Sequence, residues 1–465
     1  MRLVHRRAIR RVAIFLVAME LLTALATSSV GYAAFSSPAA AQAGTLTTAT
    51  MPAPSGVSGT AVMQAVYASP QTAYALSAIS CVSTTFCMVG NQSGESEVWT
   101  PTGGWGVVYA APISIFSISC VSTTFCMAAG HDTNPTDPSA VAPAAAEWNG
   151  SKWLTVYASV GYEDAFNSFT SVSCTSITFC MAVGATTIIG GSETNGIFNI
   201  WNGSFQSSSG SSTLESLTSV SCSSSTTCLM TGSTIYSGYS NYNLLWTAPN
   251  TWSGSYSDFT DTAGISCLLA SPCWENGYNG NTGTYGIVEW NGTSWGSVIS
   301  GGSGVSAPIS CVSTTSCWEV GNSPSNGWYA IGWNGSSWGN TVTLPNQGFT
   351  ESAVISCGSA AFCLVVGYEG GNHPVSWVLN AVLDLSWTPP TNTSDADGNP
   401  LVGSQQIVEA PYSGSTCGTS WTSITSGLSI NTTSATVGSP SSSECYSVQA
   451  VRDNWTSTVP SGVQG

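Results

Sequence analysis

The residues of this chain whose types and spacing could do chemistry are sixteen cysteines, a few carboxylates and two histidines beyond a basic N-terminus. Fourteen cysteines form seven pairs with five residues inside each: Cys81 and Cys87, Cys120 and Cys126, Cys174 and Cys180, Cys222 and Cys228, Cys267 and Cys273, Cys311 and Cys317, Cys357 and Cys363. Such thiols could bind metal or close disulfides. Zinc is disfavoured, because Cys-x5-Cys is not the usual ligand spacing and only His131 and His373 remain as imidazole partners. Outside the cytoplasm an even number of cysteines at regular spacing implies structural disulfides instead.

Hydrolysis of a neutral glycan needs two carboxylates flanking one bond, one of them with a raised pKa. Glu147 and Glu289 precede Trp-Asn-Gly turns, and Glu275 and Glu319 follow a second cysteine as Trp-Glu pairs. Their recurrence at equivalent positions points to a role in the repeat, since a catalytic residue should break it. A Ser-His-acid triad would have to use His131 or His373, both in Gly-, Asn- or Asp-rich stretches read as solvated loops, and no Gly-x-Ser-x-Gly elbow stands out from the serine-rich background. Asp395-Ala396-Asp397-Gly398-Asn399 opens like a calcium loop, but Ser404 to Ile407 offers no closing acidic ligand, so an ordinary connecting loop is expected. The eighteen tryptophans could stack on sugars; their repetition favours packing, with Trp328 and Trp421, off the pattern, as candidate exposed platforms. No catalytic, cofactor-binding or metal-ligating residue is expected.

Charge narrows the partners. Of seven basic residues, Arg2, Arg6, Arg7, Arg10 and Arg11 precede an apolar run from Val12 to Ala26, interrupted by Glu20, and Ala41-Gln42-Ala43 stands before Gly44. This is the pattern of a secretory signal over residues 1–43, with an uncleaved anchor as the alternative. Its removal leaves Lys152 and Arg452 against 22 acidic residues, a formal charge of −20. Phosphate backbones, anionic lipid and acidic polysaccharide are then poor partners, because binding them relies on Lys and Arg. A secreted or cell-surface monomer is expected, its cysteines oxidised.

The elements that carry these residues are short strands. Charged residues make up 6% of the chain, and Gly, Ser and Thr are abundant, which suits strands joined by tight turns. Residues 44–60 read as a linker. Each repeat then has a cysteine half, such as Ile118-Ser119-Cys120 to Cys126-Met127-Ala128-Ala129-Gly130, and an aromatic half, such as Trp148-Asn149-Gly150-Ser151-Lys152-Trp153. Asn-Gly between strand-like segments predicts a type I′ hairpin. First cysteines lie 39, 54, 48, 45, 44 and 46 residues apart, so each repeat has room for four strands. That period predicts an all-β, seven-bladed β-propeller over residues 61–379. The seventh repeat lacks a second aromatic strand, and Met63 to Pro70, which resembles Trp153 to Val160, is expected to supply it and remove the open edges.

From about Asn380 the text changes to Leu383-Asp384-Leu385-Ser386-Trp387-Thr388-Pro389-Pro390, Gly398-Asn399-Pro400 and Tyr446-Ser447-Val448. Residues 380–465 resemble a fibronectin type III domain, a β-sandwich in which the Trp is a core residue and the Tyr forms a corner. The resemblance departs in leaving little room for a first strand before Leu383, and it implies that Cys417 pairs with Cys445. The chain as a whole resembles secreted bacterial repeat proteins of the actinobacterial type, with Ser-Cys-x5-Cys and Trp-Asn-Gly blades. The turn also invites comparison with the Asp-box of sialidase-like propellers, but Trp holds the Asp position, and the arginines that would clamp a carboxylate are missing. The expected function is a non-catalytic binding or scaffold protein that presents propeller loops, chiefly Gly130 to Ala145 and Gly184 to Gly196, to a protein or neutral glycan. The alternative is an extracellular carbohydrate-active enzyme or its accessory module.

Overall fold

A computed structural model describes residues 53–464 with interruptions, the longest at 188–193, 235–240 and 392–400. Every described residue lies in the unit Met51–Gly465. The expected signal segment, the first part of the expected linker and the Asp395 to Asn399 stretch lie outside the described residues.

All described regular structure is strand. Seven sheets follow one another, each holding one cysteine pair. In sheet 1 the strands Leu76–Ser83, Phe86–Asn91, Glu95–Thr100 and Gly104–Ala110 pair in chain order, and sheets 2 to 6 repeat this meander over residues 114–158, 168–211, 214–256, 261–300 and 305–343. The second strand of each sheet is mostly buried, polar residues included, because both of its faces are covered. Cys126 and Ala128 face sheet 1, whereas Met127 and Ala129 face sheet 3.

Seven cores separate the sheets, one for each consecutive pair. Phe86 and Met88 of sheet 1 pack with Ile115, Ala128 and Trp148 of sheet 2, and the series ends where Phe362, Leu364 and Val366 of sheet 7 pack with Leu76, Val89 and Trp99 of sheet 1. The circuit therefore returns to its start.

Sheet 7 is completed from the other end of the chain. Its strands Thr350–Ser359, Phe362–Glu369 and His373–Thr388 are followed by Ser55–Ala68, paired antiparallel with Tyr67 opposite Trp377. Met63 to Ala68 thus supplies the outer strand the seventh repeat lacks. The strand starts at Ser55, inside the stretch read as a linker, because it pairs as far as Thr388.

The boundary expected at residue 380 is also crossed, since His373–Thr388 is one unbroken strand. Its second half pairs with the start of Ser55–Ala68 on one side and with Ser434–Gly438 on the other. Strands Ser404–Ser413, Thr422–Leu428 and Glu444–Arg452 form another sheet, and Leu383, Leu385, Trp387, Ile407, Tyr446 and Val448 share a core. The N-terminal strand therefore supplies the edge for which the sequence leaves no room before Leu383.

The aromatic half of the repeat differs locally from the expected hairpin, and the cysteine half is strand almost throughout. The Val-Ser-Thr-Thr-Phe insert is mostly strand: Cys120 sits opposite Cys126 in register, and only Thr123 and Thr124 turn. The Trp-Asn-Gly hairpin has a four-residue loop between Trp148 and Trp153 rather than a two-residue type I′ turn. Asn149 explains this, because its Oδ1 accepts the N–H groups of Ser151 and Lys152 at 3.1 Å each, while Gly150 takes the positive φ of 93°.

Candidate functional site

The recurring Ser-Cys dipeptide forms a belt. Successive side chains on the first strand point to opposite faces, so each serine before a first cysteine faces the next sheet. There its Oγ accepts the N–H of the next first cysteine: Ser80 from Cys120, Ser119 from Cys174, Ser173 from Cys222, Ser221 from Cys267, Ser266 from Cys311 and Ser310 from Cys357. The seventh bond closes the circuit, Cys81 N–H donating to Ser356 Oγ, and all seven are 2.9–3.0 Å long. A second tier repeats the device where Ser117 accepts from Val172 and Ser171 from Val220. The serines are visible in the sequence as a recurring Ser-Cys dipeptide, but their partners are not. The pairing is periodic in the sequence, but a backbone N–H leaves no residue signature.

The sixteen cysteines are all joined, each repeat pair to itself and Cys417 to Cys445. Trp148 Nε1 donates to Thr123 O at 3.2 Å and Trp201 Nε1 to Ile177 O at 3.1 Å, so these aromatic corners are tied to the cysteine turns. In sheets 2 to 5 and 7 the glycine ending the motif is required by a bulge in the first strand. A Cβ at Gly184 would fall inside the carbonyl oxygen of Ser168.

The candidate carboxylates do not converge on a cleft. Glu275 is fully buried between sheets 4 and 5, where Thr262 Oγ1 donates to its Oε1 at 2.6 Å and Asn243 Nδ2 to its Oε2 at 3.0 Å. Glu319 is buried with an Asn276 hydrogen bond, and burial pushes its pKa up to about 7. Burial raises the pKa of Glu275 as well. Glu147 is half-buried and Glu289 exposed. A further buried carboxylate that sequence reading missed, Glu97, accepts Gln71 N–H at 2.8 Å and caps the segment entering sheet 1; its pKa is raised chiefly by burial.

His131 is not in a loop but in the strand Phe125–Asn134, its ring 5.1 Å from that of Phe116, and burial lowers its pKa against the opposing pull of Asp132. His373 starts the third strand of sheet 7 and is exposed. The Gly-x-Ser-x-Gly spacing does occur, as Gly292 to Gly296 and Gly335 to Gly339. Both copies lie in aromatic hairpins, not in the strand-to-helix turn that lifts a nucleophile. Trp328, read as a platform, is buried, and Trp421 is half-buried against Gly462. The stretch from Gly130 to Ala145, read as a variable loop, is the long strand pair Phe125–Asn134 and Asp137–Trp148, interrupted at 135–136. Gly184 to Gly196 is likewise strand on both sides of 188–193.

Sheet 5 breaks its outer strand. Trp295 makes a single bridge to Trp290, and the strand resumes as Ile299–Ser300 beside Ile287 and Gly286. Between this edge and the end of sheet 4 lies a cavity of about 380 Å³ lined by Ser255, Tyr256, Asp258, Trp290, Thr293 and Trp295, among others. Ser255 Oγ accepts Trp295 Nε1 at 3.0 Å and holds the indole in place, while Tyr256 stands 60% exposed at the rim.

No protein-family model and no curated protein matches the chain. Solved structures do match. The WD40 repeats of RRP9 are similar at 9% identity with a TM-score of 0.49, over 68% of this chain and 97% of that one. The WD40 β-propeller domain of Doa1 is similar at 13% identity and a TM-score of 0.45, over 71% of this chain and 95% of that one. YCF48 bound to a D1 peptide is similar at 11% identity and a TM-score of 0.45, over 68% and 96%.

Proposed function

We propose that this protein is an exported, non-catalytic binding or scaffold protein: a rigid seven-bladed β-propeller continuous with a fibronectin type III-like sandwich. The circular sequence of seven inter-sheet cores and the closed serine belt support the blade count, each sheet being one blade. The eight disulfides support an oxidising compartment. The partner is a protein or a neutral glycan met outside the cell.

The observation that carries the non-catalytic reading is the enclosure of Glu275 and Glu319, the carboxylates of the Trp-Glu pairs. Glu275 receives hydrogen bonds from side chains of two adjacent sheets and has no exposed surface, so no glycosidic oxygen could approach it. Glu319 is similarly enclosed. These groups serve the interfaces between blades rather than a substrate. The purified chain is expected to capture a ligand from a panel of neutral polysaccharides and cell-surface proteins and return it unchanged. Release of reducing sugar, or cleavage of a captured protein, would overturn this reading.

A further inference from the structure

We propose that the cavity between sheets 4 and 5 is a subsite for a ring of a neutral, hexose-containing glycan, an inference that rests on reading the protein as a non-catalytic binder. The site lies where the repeat gives way. In sheet 6 the second tryptophan of the hairpin begins a full outer strand, Trp338–Thr343; in sheet 5 the equivalent Trp295 makes one bridge and the chain then leaves the edge. The resulting opening of about 380 Å³ falls within the range of small-ligand sites and is bounded by aromatic rings.

The lining matches the two chemistries of a pyranose. The C–H faces of a sugar pack on aromatic rings, and Tyr256 and Trp295 offer such surfaces above the buried Trp290. The Trp290 and Trp295 rings are 5.2 Å apart and inclined at 56°, which shapes a corner instead of a closed stack. The Trp295 indole is fixed by Ser255 before any ligand arrives, so little side-chain freedom remains to be lost on binding. Around the rings, the Asp258 carboxylate can accept hydrogen bonds from sugar hydroxyls; the Thr293 hydroxyl, which donates to Asn291 Oδ1, can still accept, and the Ser294 hydroxyl, which accepts from Asn291 Nδ2, can still donate.

Charge selects among sugars. No Lys, Arg or His lines the cavity, and Asp258 adds a negative charge in a chain whose net charge is −16. A sialic or uronic acid would be repelled without a cation to receive its carboxylate. A quaternary ammonium would be drawn to Asp258 and the rings, but it has no use for the hydroxyl rim, which favours a polyhydroxylated ligand.

The test uses the full chain with maltotriose, cellotriose and chitotriose as neutral probes, and sialyllactose and choline as charged ones, read by calorimetry. The variants Tyr256→Ala and Asp258→Asn alter exposed side chains, and their folding is checked by thermal unfolding. At least one neutral trisaccharide is expected to bind, with affinity reduced roughly tenfold in each variant. The charged probes should not bind. Failure of all three neutral probes, indifference of sugar binding to both variants, or preference for choline or sialyllactose would each overturn the subsite. Sugar release combined with loss of affinity in both variants would retain the subsite and remove the non-catalytic reading. Capture of a surface protein without any sugar binding would remove the subsite alone.

Discussion

Replacing Glu319 by Gln removes a buried carboxylate whose cost to the fold depends on pH. Burial pushes the pKa of Glu319 from the ordinary 4.5 up to about 7, and its Oε2 has no hydrogen-bond partner. The folded chain therefore holds this proton more tightly than the unfolded chain does. Stability from the group is complete below the unfolded pKa and is lost as pH rises through the folded value. A shift of this size corresponds to about 3 kcal/mol between pH 4 and pH 8. Glu319→Gln keeps the shape and the acceptor that Asn276 uses but cannot ionise. Urea denaturation followed by tryptophan fluorescence should show the variant about 3 kcal/mol more stable than the parent at pH 8 and nearly equal to it at pH 4. Burial raises Glu275 and Glu97 in the same direction, so the parent's full slope exceeds the share of Glu319, and the difference between the two curves isolates it. Parallel curves, with the variant no better at high pH, would refute the reasoning.

Ser119→Ala leaves the Cys174 N–H without its acceptor and should cost about 1–3 kcal/mol in chemical denaturation; a neutral result would mean the belt is incidental. Gly184→Ala forces a methyl group into the Ser168 carbonyl, which is backbone and cannot swing away, and should abolish recovery of soluble folded protein. Removing the pair Cys120 and Cys126 should cost about 2 kcal/mol, and removing Cys417 and Cys445, which enclose a longer loop, about 3.5 kcal/mol, by the chain-entropy scale. The reverse order of midpoints would show that packing around the buried sulfurs outweighs loop length.

Much of the sheet succession was legible because its signals are local and repeated. Each cysteine pair marks one hairpin, each Trp-Asn-Gly another, and an apolar run between them reports a strand covered on both faces. The closing strand was legible for the same reason, since Val66-Tyr67-Ala68 repeats Val156-Tyr157-Ala158. Features that depend on distant backbone were not. The serine belt joins residues about one repeat apart through an N–H common to almost every residue type. The run of strand through residue 380 is set by partners on both sides, Ser55–Ala68 and Ser434–Gly438, far away in sequence. Trp328 stood outside the repeat pattern, yet its neighbours in the core between sheets 6 and 7 bury it. The cavity arises from a strand that stops, and Gly296 to Val298 carry no turn signal strong enough to announce it.

The pairing of Ser55–Ala68 with His373–Thr388 imposes an order of events on folding. Each cysteine hairpin joins residues six apart and can form as soon as its own segment is free, whereas closure joins partners such as Ala68 and Ser376, 308 residues apart. Contacts of such separation form late, after the entropy of the long loop has been met. Until then Phe362, Leu364 and Val366 on one side, and Leu76, Val89 and Trp99 on the other, have no partners. Ser55–Ala68 is thus synthesised before the strands it joins and is among the last to be used, and the arc that waits for it is the form most exposed to self-association.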